Sequence, residues 1–227
     1  VVTNPCGEIP LEEKPAGGGN CCLGHINLSN MVVDGEVDWK RLARSVRTGV
    51  RFLDNVIDVN SYPTEECRQV AQETRRIGLG FTGLAYMLIK LNLKYGSEKS
   101  LEFLERLLAT IRDEAYKESI YLAREKGPFP MFDYKKFLDQ GFAKTLPSRI
   151  RMLIKEHGIR NAVMLTVAPT GTISLMAGIS GGIEPIFSAM YKRRYRRANV
   201  WKEATVVDPL FEEYLKQGKN LDVFVGA

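Results

Sequence analysis

The sequence predicts an α/β protein with a helix-rich exterior, and three observations lead to this class. Apolar residues recur at helical spacing over several long stretches, few segments have strand character, and residues 162–167 form a short, nearly continuous apolar run. Such a run, bounded here by Asn161 and Pro169, is typical of a strand buried on both faces of an α/β sheet. The 227 residues are enough for one large domain or two small ones.

The spacing of apolar residues places most of the helices. We expect helices at 38–59, 63–76, 84–91, 97–126, 147–157 and from 175 onward. Ser97 is suited to cap the start of the long helix, and Gly127 with Pro128 ends it. The first 30 residues are rich in glycine, proline and cysteine but contain apolar anchors, so they are predicted to form an ordered loop. Residues 129–146 are expected to be irregular, with a short helical piece.

The composition narrows the class of protein. No apolar run approaches the roughly 20 residues that a membrane span needs, and the first eight residues lack the character of a signal peptide, so we expect a cytoplasmic protein without a membrane partner. The net charge of +5 suits an anionic substrate but does not by itself indicate nucleic acid. Four cysteines are too few for a disulfide scaffold, and their clustering near the N-terminus favours catalysis, redox exchange or metal binding.

Residues 167–174 have the pattern of an anion site. A buried strand that turns through proline, glycine and small hydroxyl residues into a helix leaves unpaired N–H groups at the positive end of that helix. Phosphate suits such a site, although the Gly-Lys-Ser/Thr ending of the nucleotide-triphosphate loop is missing. The alternative is a capped helix start that binds no ligand.

The segment Asn-Pro-Cys-Gly-Glu at residues 4–8 offers three chemically different groups. Alternate residues of an extended segment project to the same side, so the amide of Asn4, the thiol of Cys6 and the carboxylate of Glu8 would face one ligand. The alternative is a turn built by Pro5 and Gly7, with an incidental cysteine.

Two adjacent cysteines, Cys21 and Cys22, lie downstream with His25 close by. Together with Cys6 they could bind zinc, but adjacent cysteines seldom reach the same ion and Cys-x-x-Cys pairs are absent. The other interpretation is that one of them is the redox partner of a second thiol. We expect no metal ligands in this chain.

Two further motifs suggest other function classes. Residues 78–83 match the Gly-x-Gly-x-x-Gly fingerprint of dinucleotide-binding oxidoreductases that use NAD, but they follow a polar, helix-like stretch, so close packing of helices through glycine is the preferred interpretation. The basic segment Lys192–Arg197, with Trp201 nearby, could bind nucleic acid or form a solvated face. His157 lies at the predicted C-terminal end of a helix, where the helix dipole favours a histidine, so a catalytic role is not needed to explain it.

Taken together, the motifs resemble the large catalytic subunit of ribonucleotide reductases. Residues 4–8 match the finger-loop motif of that family, and residues 21–28 resemble its Cys-Asn-Leu-Gly-Ser-Ile-Asn-Leu segment, with Cys22 and His25 in place of asparagine and serine. Further matching segments follow in the order of the family, at 53–58, 76–80, 158–161, 168–174 and 182–185. The sequences of residues 168–174 and 182–185 are most similar to the class of these enzymes that depends on adenosylcobalamin. The alternative is a class with a di-iron or di-manganese radical subunit.

The resemblance implies a fold and a reaction. The family fold is a ten-stranded α/β barrel with the finger loop inside it, and residues 1–227 would be the C-terminal half of that barrel. The reaction is reduction of ribonucleoside diphosphates to 2′-deoxyribonucleoside diphosphates. The first half-barrel and the C-terminal cysteine tail would be supplied by the remaining part of the reductase, so the isolated chain is expected to be inactive. A thioredoxin-type reductant and a homodimer are the implied partners.

The resemblance also implies roles for individual residues. Cys6 would form a transient thiyl radical that takes the 3′ hydrogen of the ribose, Glu8 would accept the 3′-hydroxyl proton, and Asn4 would hydrogen-bond the sugar hydroxyls. Cys21 would be one of two thiols that reduce the 2′ carbon and end as a disulfide, with Cys22 as the alternative. The substrate diphosphate would be held by Pro169, Thr170, Gly171, Thr172, Ile173 and Ser174.

Overall fold

The computed structural model describes residues 2–11, 13–14, 17–139 and 141–224. Over these ranges the α-helices are α1 (Trp39–Val59), α2 (Glu65–Thr74), α3 (Leu84–Lys90), α4 (Glu98–Lys126), α5 (Tyr134–Leu138), α6 (Ser148–His157), α7 (Gly171–Ala177) and α8 (Pro209–Lys216). The strands are β1 (Val2–Thr3), β2 (Pro10–Leu11), β3 (Glu13–Lys14), β4 (Gly17–Gly18), β5 (Leu23–Asn27), β6 (Val32–Val33), β7 (Glu36–Val37), β8 (Gly78–Thr82), β9 (Met190–Arg197) and β10 (Val200–Val207). Short 3₁₀ turns lie at 28–31, 141–145 and 222–224.

The helices predicted from apolar spacing are present. The start of α2 is capped by Thr64, whose hydroxyl accepts a hydrogen bond from the Cys67 amide at 3.3 Å. Ser97 serves the start of α4 in the same way, accepting from the amide of Ser100 at 3.3 Å. The helix expected from residue 175 onward begins earlier, at Gly171, and ends at Ala177. The helix start therefore includes hydroxyl residues that the sequence pattern assigns to the preceding turn.

The chain divides into two compact units. Unit 1 comprises residues 1–26, 39–81 and 106–168, and unit 2 comprises residues 27–38, 82–105 and 169–227. The interpretation of 1–227 as one half-barrel domain stays a prediction.

The core of unit 1 is built on α1 and a short sheet. The apolar face of α1 is buried at the positions that its helical spacing predicts, which are Leu42, Val46, Val50, Leu53 and Ile57. Strand β8 pairs with β5 on one side. On its other side Leu79 pairs with Leu165 in a parallel bridge, and the Leu79 amide donates to the Met164 carbonyl at 2.7 Å. Strand β8 is therefore the middle of a three-segment layer.

Two sequence interpretations are wrong in this layer. Residues 162–167 do not form a strand buried on both faces: they form a single bridge to β8, and Val167 is half exposed because the pairing ends at Thr166. Residues 78–82 are not a junction between packed helices but a fully buried strand. The missing side chains of Gly78 and Gly80 leave room for side chains from neighbouring segments, which outweighs the low strand propensity of glycine.

A buried carboxylate ties the segments of unit 1 together. Asp54 of α1 is completely buried, and its Oδ1 accepts hydrogen bonds from Arg75 at 2.8 Å and from Asn161 at 3.0 Å. Lys126 and Arg160 bring further positive charge within 3.6 Å and 3.5 Å of Oδ2. Burial alone would raise the pKa of Asp54, but these partners, Arg75 above all, hold it below its ordinary value.

Unit 2 has its own apolar cluster and a long hairpin. The cluster consists of Tyr86, Ile89, Leu210, Tyr214, Val223 and Phe224. The phenol of Tyr86 donates to Asp208 at 2.8 Å, next to the start of α8. Strands β9 and β10 form an antiparallel pair over eight residues each, joined by a two-residue turn in which Ala198 and Asn199 have positive φ.

The mixture of helices and strands confirms the α/β class. Within the described ranges the strands form two-stranded sheets and one bridged segment and do not close into a barrel. The half-barrel expected from the resemblance therefore stays a prediction. No helix among the described residues has the length and apolar character needed to cross a membrane.

Candidate active site

The finger loop, residues 4–9, is a tight turn closed by Asn4. The buried side chain of Asn4 accepts from the Ile9 amide through Oδ1 at 3.1 Å, and its backbone amide donates to the Ile9 carbonyl at 3.2 Å. The Gly7 amide donates to the Asn4 carbonyl at 2.9 Å with φ at +76°. The extended segment expected here is therefore wrong, because Pro5 and Gly7 favour a turn. Cys6 is left exposed at its tip.

The structure brings three of the predicted site residues together. Burial raises the pKa of the Cys21 thiol, and the negative charges of Glu8 and Cys6 raise it further. Such an effect requires both groups to lie near Cys21, and we call Cys6, Glu8 and Cys21 the thiol cluster. At neutral pH the Cys21 thiol is accordingly protonated, and it carries a hydrogen as well as a reducing sulfur.

Glu8 is anchored through its backbone and leaves its carboxylate free on one side. The Thr166 hydroxyl donates to the Glu8 carbonyl at 3.2 Å, which ties the finger loop to the segment that pairs with β8. Among the described residues, Glu8 Oε2 is buried without a hydrogen-bond partner. A buried carboxylate oxygen in this state is available to accept a proton or a hydrogen bond from a ligand.

Cys22 is directed away from the thiol cluster. Its thiol donates to the Leu53 carbonyl of α1 at 3.6 Å. Burial raises the pKa of this thiol, and the charge of Asp54 adds to the effect. A cavity of about 270 Å³ lies beside it, lined by Asn20, Cys21, Cys22, Leu23, Val56, Ile57, Asn60, Tyr62, Ala71 and Arg76. Glu8 and Cys6 contribute to the raised pKa of Cys21, whereas Asp54 contributes to that of Cys22. The assignment of Cys21 as the redox thiol stays a prediction.

The zinc interpretation receives no support from the described residues, since none of their His, Cys, Asp and Glu side chains form a group of three or more that could hold a metal ion.

The dinucleotide interpretation is not supported, because the space above the glycines of residues 78–83 is already filled. A Cβ atom on Gly78 would lie 2.4 Å from Leu23 Cδ2, and one on Gly80 would lie 2.8 Å from His25 Cδ2. These glycines therefore accommodate side chains of the chain itself rather than a pyrophosphate.

The predicted phosphate loop lies in unit 2 and has an organised start. Thr170 is the N-cap residue of α7 with φ at +54°, and its buried hydroxyl accepts from the Gly182 amide at 2.6 Å. Thr82 lies 3.3 Å from the same hydroxyl oxygen. Among the described residues no side chain caps the helix, and residues 171–173 at its start are exposed. The strand–turn–helix prediction is confirmed in its turn and helix, whereas its strand is only a bridge.

The basic segment Lys192–Arg197 lies on β9, and every residue of that strand is exposed. Arg194 lies 3.6 Å from Glu203 and has its guanidinium 5.3 Å from the centre of the Trp201 ring, so part of its charge is satisfied across the hairpin. His157 is the last residue of α6, as expected, and lies 3.5 Å from Glu156. Arg194 and His157 thus each have a contact within their own hairpin or helix.

Sequence comparisons link the chain to known proteins. Residues 1–223 match the family model described as ribonucleotide reductase, barrel domain. The chain is 43% identical over 216 residues to a vitamin B12-dependent ribonucleoside-diphosphate reductase of Thermoplasma acidophilum, which covers 95% of this chain and 25% of the relative. A protein of the same name from Mycobacterium tuberculosis is 43% identical over 211 residues, covering 93% of this chain and 27% of the relative.

A more distant relative is the ribonucleoside-diphosphate reductase subunit alpha of Chlamydia muridarum, 32% identical over 238 residues, which covers 95% of this chain and 22% of the relative. The chain thus spans about a quarter of the length of the curated relatives that it matches.

Proposed function

Because the chain belongs to the ribonucleotide reductase family through its barrel domain, we propose that it carries the radical site of a ribonucleoside-diphosphate reductase. The observation that carries this proposal is the thiol cluster, in which Glu8 and Cys6 lie near enough to Cys21 to raise the pKa of its thiol. A thiol, a base and a second thiol are the groups that reduction of a ribose needs at one place. The reaction is reduction of a ribonucleoside diphosphate to the 2′-deoxyribonucleoside diphosphate.

The first step is hydrogen abstraction at the 3′ carbon. A thiyl radical on Cys6 takes the 3′ hydrogen atom, which leaves a carbon radical on the sugar and a thiol on Cys6. Glu8 accepts the 3′-hydroxyl proton, and its unpartnered Oε2 supports this role. Asn4 holds the loop in the turn that presents both groups, and its amide is also the proposed contact to the sugar hydroxyls.

The second step removes the 2′ hydroxyl as water and reduces the 2′ carbon. Cys21 and a second thiol outside the described residues supply two electrons and two protons, and their sulfurs end as a disulfide. The raised pKa of Cys21 supports this assignment, because the reductant must bring protons as well as electrons. Cys6 then returns its hydrogen atom to the 3′ carbon, which restores the thiyl radical, and Glu8 returns the proton to the 3′ oxygen.

The substrate diphosphate is proposed to bind at residues 169–174. The uncapped N–H groups at the start of α7, with the positive end of the helix dipole, suit the phosphate charge. The network of Thr170, Thr82 and Gly182 holds the turn before this helix and so fixes where those groups point.

The proposed cofactor is adenosylcobalamin, a form of the vitamin B12 on which two of the relatives depend by name. When bound it supplies an organic radical to which a thiol can yield a hydrogen atom. The exposed thiol of Cys6 fits a radical source of this kind, since the described residues leave it accessible from outside. The same accessibility means that the described residues do not provide the shielding from water that a thiyl radical needs. We assign that shielding to the remaining part of the reductase.

The proposal extends to partners and location. A reductase of the length of the relatives would be completed by the first half-barrel and the C-terminal cysteine tail, would be re-reduced by a thioredoxin-type protein, and would act as a cytoplasmic homodimer.

The test is turnover by the complete reductase that contains this chain. With adenosylcobalamin, a dithiol and a ribonucleoside diphosphate, we expect deoxyribonucleoside diphosphate from the wild-type enzyme and none from Cys6→Ser, because a hydroxyl cannot replace the thiyl radical. Cys67→Ser is the matched control, since Cys67 lies on α2 and its thiol has no role in the scheme. Product formation by Cys6→Ser at the wild-type rate would overturn the proposal.

A further inference from the structure

The hairpin of β9 and β10 is long and has little cover. It is a sheet of two strands with eight residues each, and within the described part of the chain no third strand pairs with either of them. Every residue of β9 is exposed, and on β10 the side chains of Val200 and Trp201 are 59% and 61% exposed. A two-stranded hairpin is only marginally stable in water, and proteins usually keep open edge strands short. The hairpin therefore has the features of a sheet that another segment completes.

The turn of the hairpin determines which backbone groups of β9 point away from β10. A two-residue turn makes its flanking residues, Arg197 and Val200, a hydrogen-bonded pair, and hydrogen-bonded and non-hydrogen-bonded pairs alternate from there along the strands. The backbone N–H and C=O groups of Lys192, Arg194 and Arg196 consequently point outward. Among the described residues none of these groups has a hydrogen-bond partner. We call these three residues the β9 edge.

The charges of β9 favour an acidic partner. The β9 edge carries three cations, and Arg193 and Arg197 add two more on the opposite face of the strand. The hairpin contains a single carboxylate, Glu203, which lies 3.6 Å from Arg194. Pairing with the same edge of a second copy would place cations opposite cations, which is destabilising, whereas a strand rich in Asp and Glu would place carboxylates there. A nucleic acid would match the charge, but unlike a peptide strand it does not continue the backbone hydrogen bonding of the sheet.

We propose that an extended acidic segment of the complete reductase adds to the β9 edge as a third strand. This inference rests on the proposed function in one respect, namely that the chain, which spans about a quarter of the length of its curated relatives, is part of a longer reductase. The source is the reductase itself, because the exposed rings of Trp201 and Phe187 favour permanent cover over an occasional partner. The added strand lies about 4.8 Å from β9, hydrogen-bonds its outward backbone groups and brings carboxylates beside its cations.

The first experiment is hydrogen exchange, resolved to single amides, on the complete reductase. The amides of Arg193 and Tyr195 face β10 and report whether the hairpin itself is formed. The outward amides of the β9 edge should exchange roughly tenfold or more slowly than amides of an exposed loop, because the added strand binds them. Outward amides that exchange as fast as an exposed loop while the inward amides are protected would overturn the proposal. Protection that appears only when a single-stranded oligonucleotide is added would overturn it as well.

Two proline variants separate the β9 edge from the hairpin. Arg194 and Glu203 are opposite each other, and both direct their N–H groups outward, so proline at either position removes no hydrogen bond of the hairpin. Both variants also lose the same ion pair, which makes Glu203→Pro a matched control for Arg194→Pro. Arg194→Pro should abolish the slow exchange at Lys192 and Arg196, whereas Glu203→Pro should preserve it. Equal exchange at these two amides in both variants would refute the third strand.

Crosslinking identifies the source of the added strand. A carbodiimide joins an amine and a carboxylate that are in contact, and Lys192 is the lysine of the β9 edge. In the complete reductase we expect Lys192 to be joined to an Asp or Glu outside residues 1–227, and Lys192→Gln should remove that product. A crosslink to a separate protein, or none, would overturn the assignment to the reductase. Neither exchange nor crosslinking needs turnover, so an enzyme that forms no deoxynucleotide would refute the proposed function while these measurements still test the third strand.

Discussion

The buried carboxylate of Asp54 gives a quantitative prediction of stability. Asp54→Asn keeps the size of the side chain but removes the charge that faces Arg75, Lys126 and Arg160. Breaking a buried ion pair from one side costs about 3–5 kcal/mol, because the remaining charge is left uncompensated. Arg75 retains a second carboxylate, Asp58, at 2.8 Å, so we expect the lower end of that range, about 3 kcal/mol.

The assay is urea unfolding with Asp58→Asn as the matched control. At a slope of about 2 kcal/mol per molar urea, a loss of about 3 kcal/mol lowers the midpoint by about 1.5 M. Asp58 binds the same guanidinium, but its side chain is 43% exposed, so its removal should cost less than about 1 kcal/mol. If the two variants shift the midpoint equally, burial of Asp54 does not have the effect that we assign to it.

The same pair has a defined pH dependence. The folded-state pKa of Asp54 lies below its ordinary value, since Arg75 and the neighbouring donors outweigh burial. A depressed pKa contributes stability that is fully present above the unfolded value, about 3.9, and is lost as the pH falls through the folded value. The difference in unfolding free energy between wild type and Asp54→Asn should therefore be constant near neutrality and should shrink only below about pH 4. A difference that shrinks between about pH 8 and about pH 6 would point to another titrating group.

Three further predictions concern the candidate site. In the complete reductase, Cys21→Ser should preserve exchange of the 3′ hydrogen but stop product formation. Cys22→Ser should leave both near wild type, because the Cys22 thiol donates to the Leu53 carbonyl. The reverse result would mean that Cys22, and not Cys21, is the redox thiol. Gly171→Val should weaken substrate binding more than Thr172→Val. A Cβ at 171 meets no described residue within 4 Å, so the larger side chain would project into the space that the proposed phosphate occupies, whereas the Thr172 hydroxyl is worth about 0.5–1.5 kcal/mol. Equal and negligible effects on the dissociation constant would mean that the loop only starts the helix and binds no phosphate. Gly80→Ala should lower the free energy of unfolding in urea by about 1–3 kcal/mol, because the added methyl group meets the Thr166 backbone carbonyl at 2.9 Å. An unchanged midpoint would contradict the close packing above Gly80.

The helices of this chain could be predicted from the sequence because their signal is local. On α1 the buried residues recur every three or four positions, so a window of one helix contains all the information needed. The hairpin of β9 and β10 escapes prediction for the opposite reason. All residues of β9 are exposed, so apolar and polar residues do not alternate along it, and its basic residues suggest a binding surface instead. The available signal is Asn199, a residue that tolerates positive φ, at the two-residue turn.

Strand β8 shows what a local pattern cannot contain. Its two glycines suggest an interruption, and the residues that fill the space above them, Ile9, Leu23 and Thr166, are distant in sequence. The finger loop is a related case. The expected alternation of Asn4, Cys6 and Glu8 on one face requires an extended backbone, which Pro5 and Gly7 prevent.

The turn nevertheless brings the chemistry together, and the glycines of β8 explain how. The turn is closed by hydrogen bonds between Asn4 and Ile9. The Ile9 side chain packs into the space above Gly78, where a Cβ atom on the glycine would lie 2.7 Å from Ile9 Cδ1. The adjacent residue, Glu8, is thereby fixed next to Thr166, whose hydroxyl donates to its carbonyl, and the space above Gly80 is filled by the imidazole of His25. Each glycine thus sets the position of one neighbour, an apolar anchor at 78 and a titratable ring at 80. The glycines that match the dinucleotide fingerprint are therefore needed because other groups pack closely against the backbone of β8, but these groups are side chains of the chain itself and not a nucleotide.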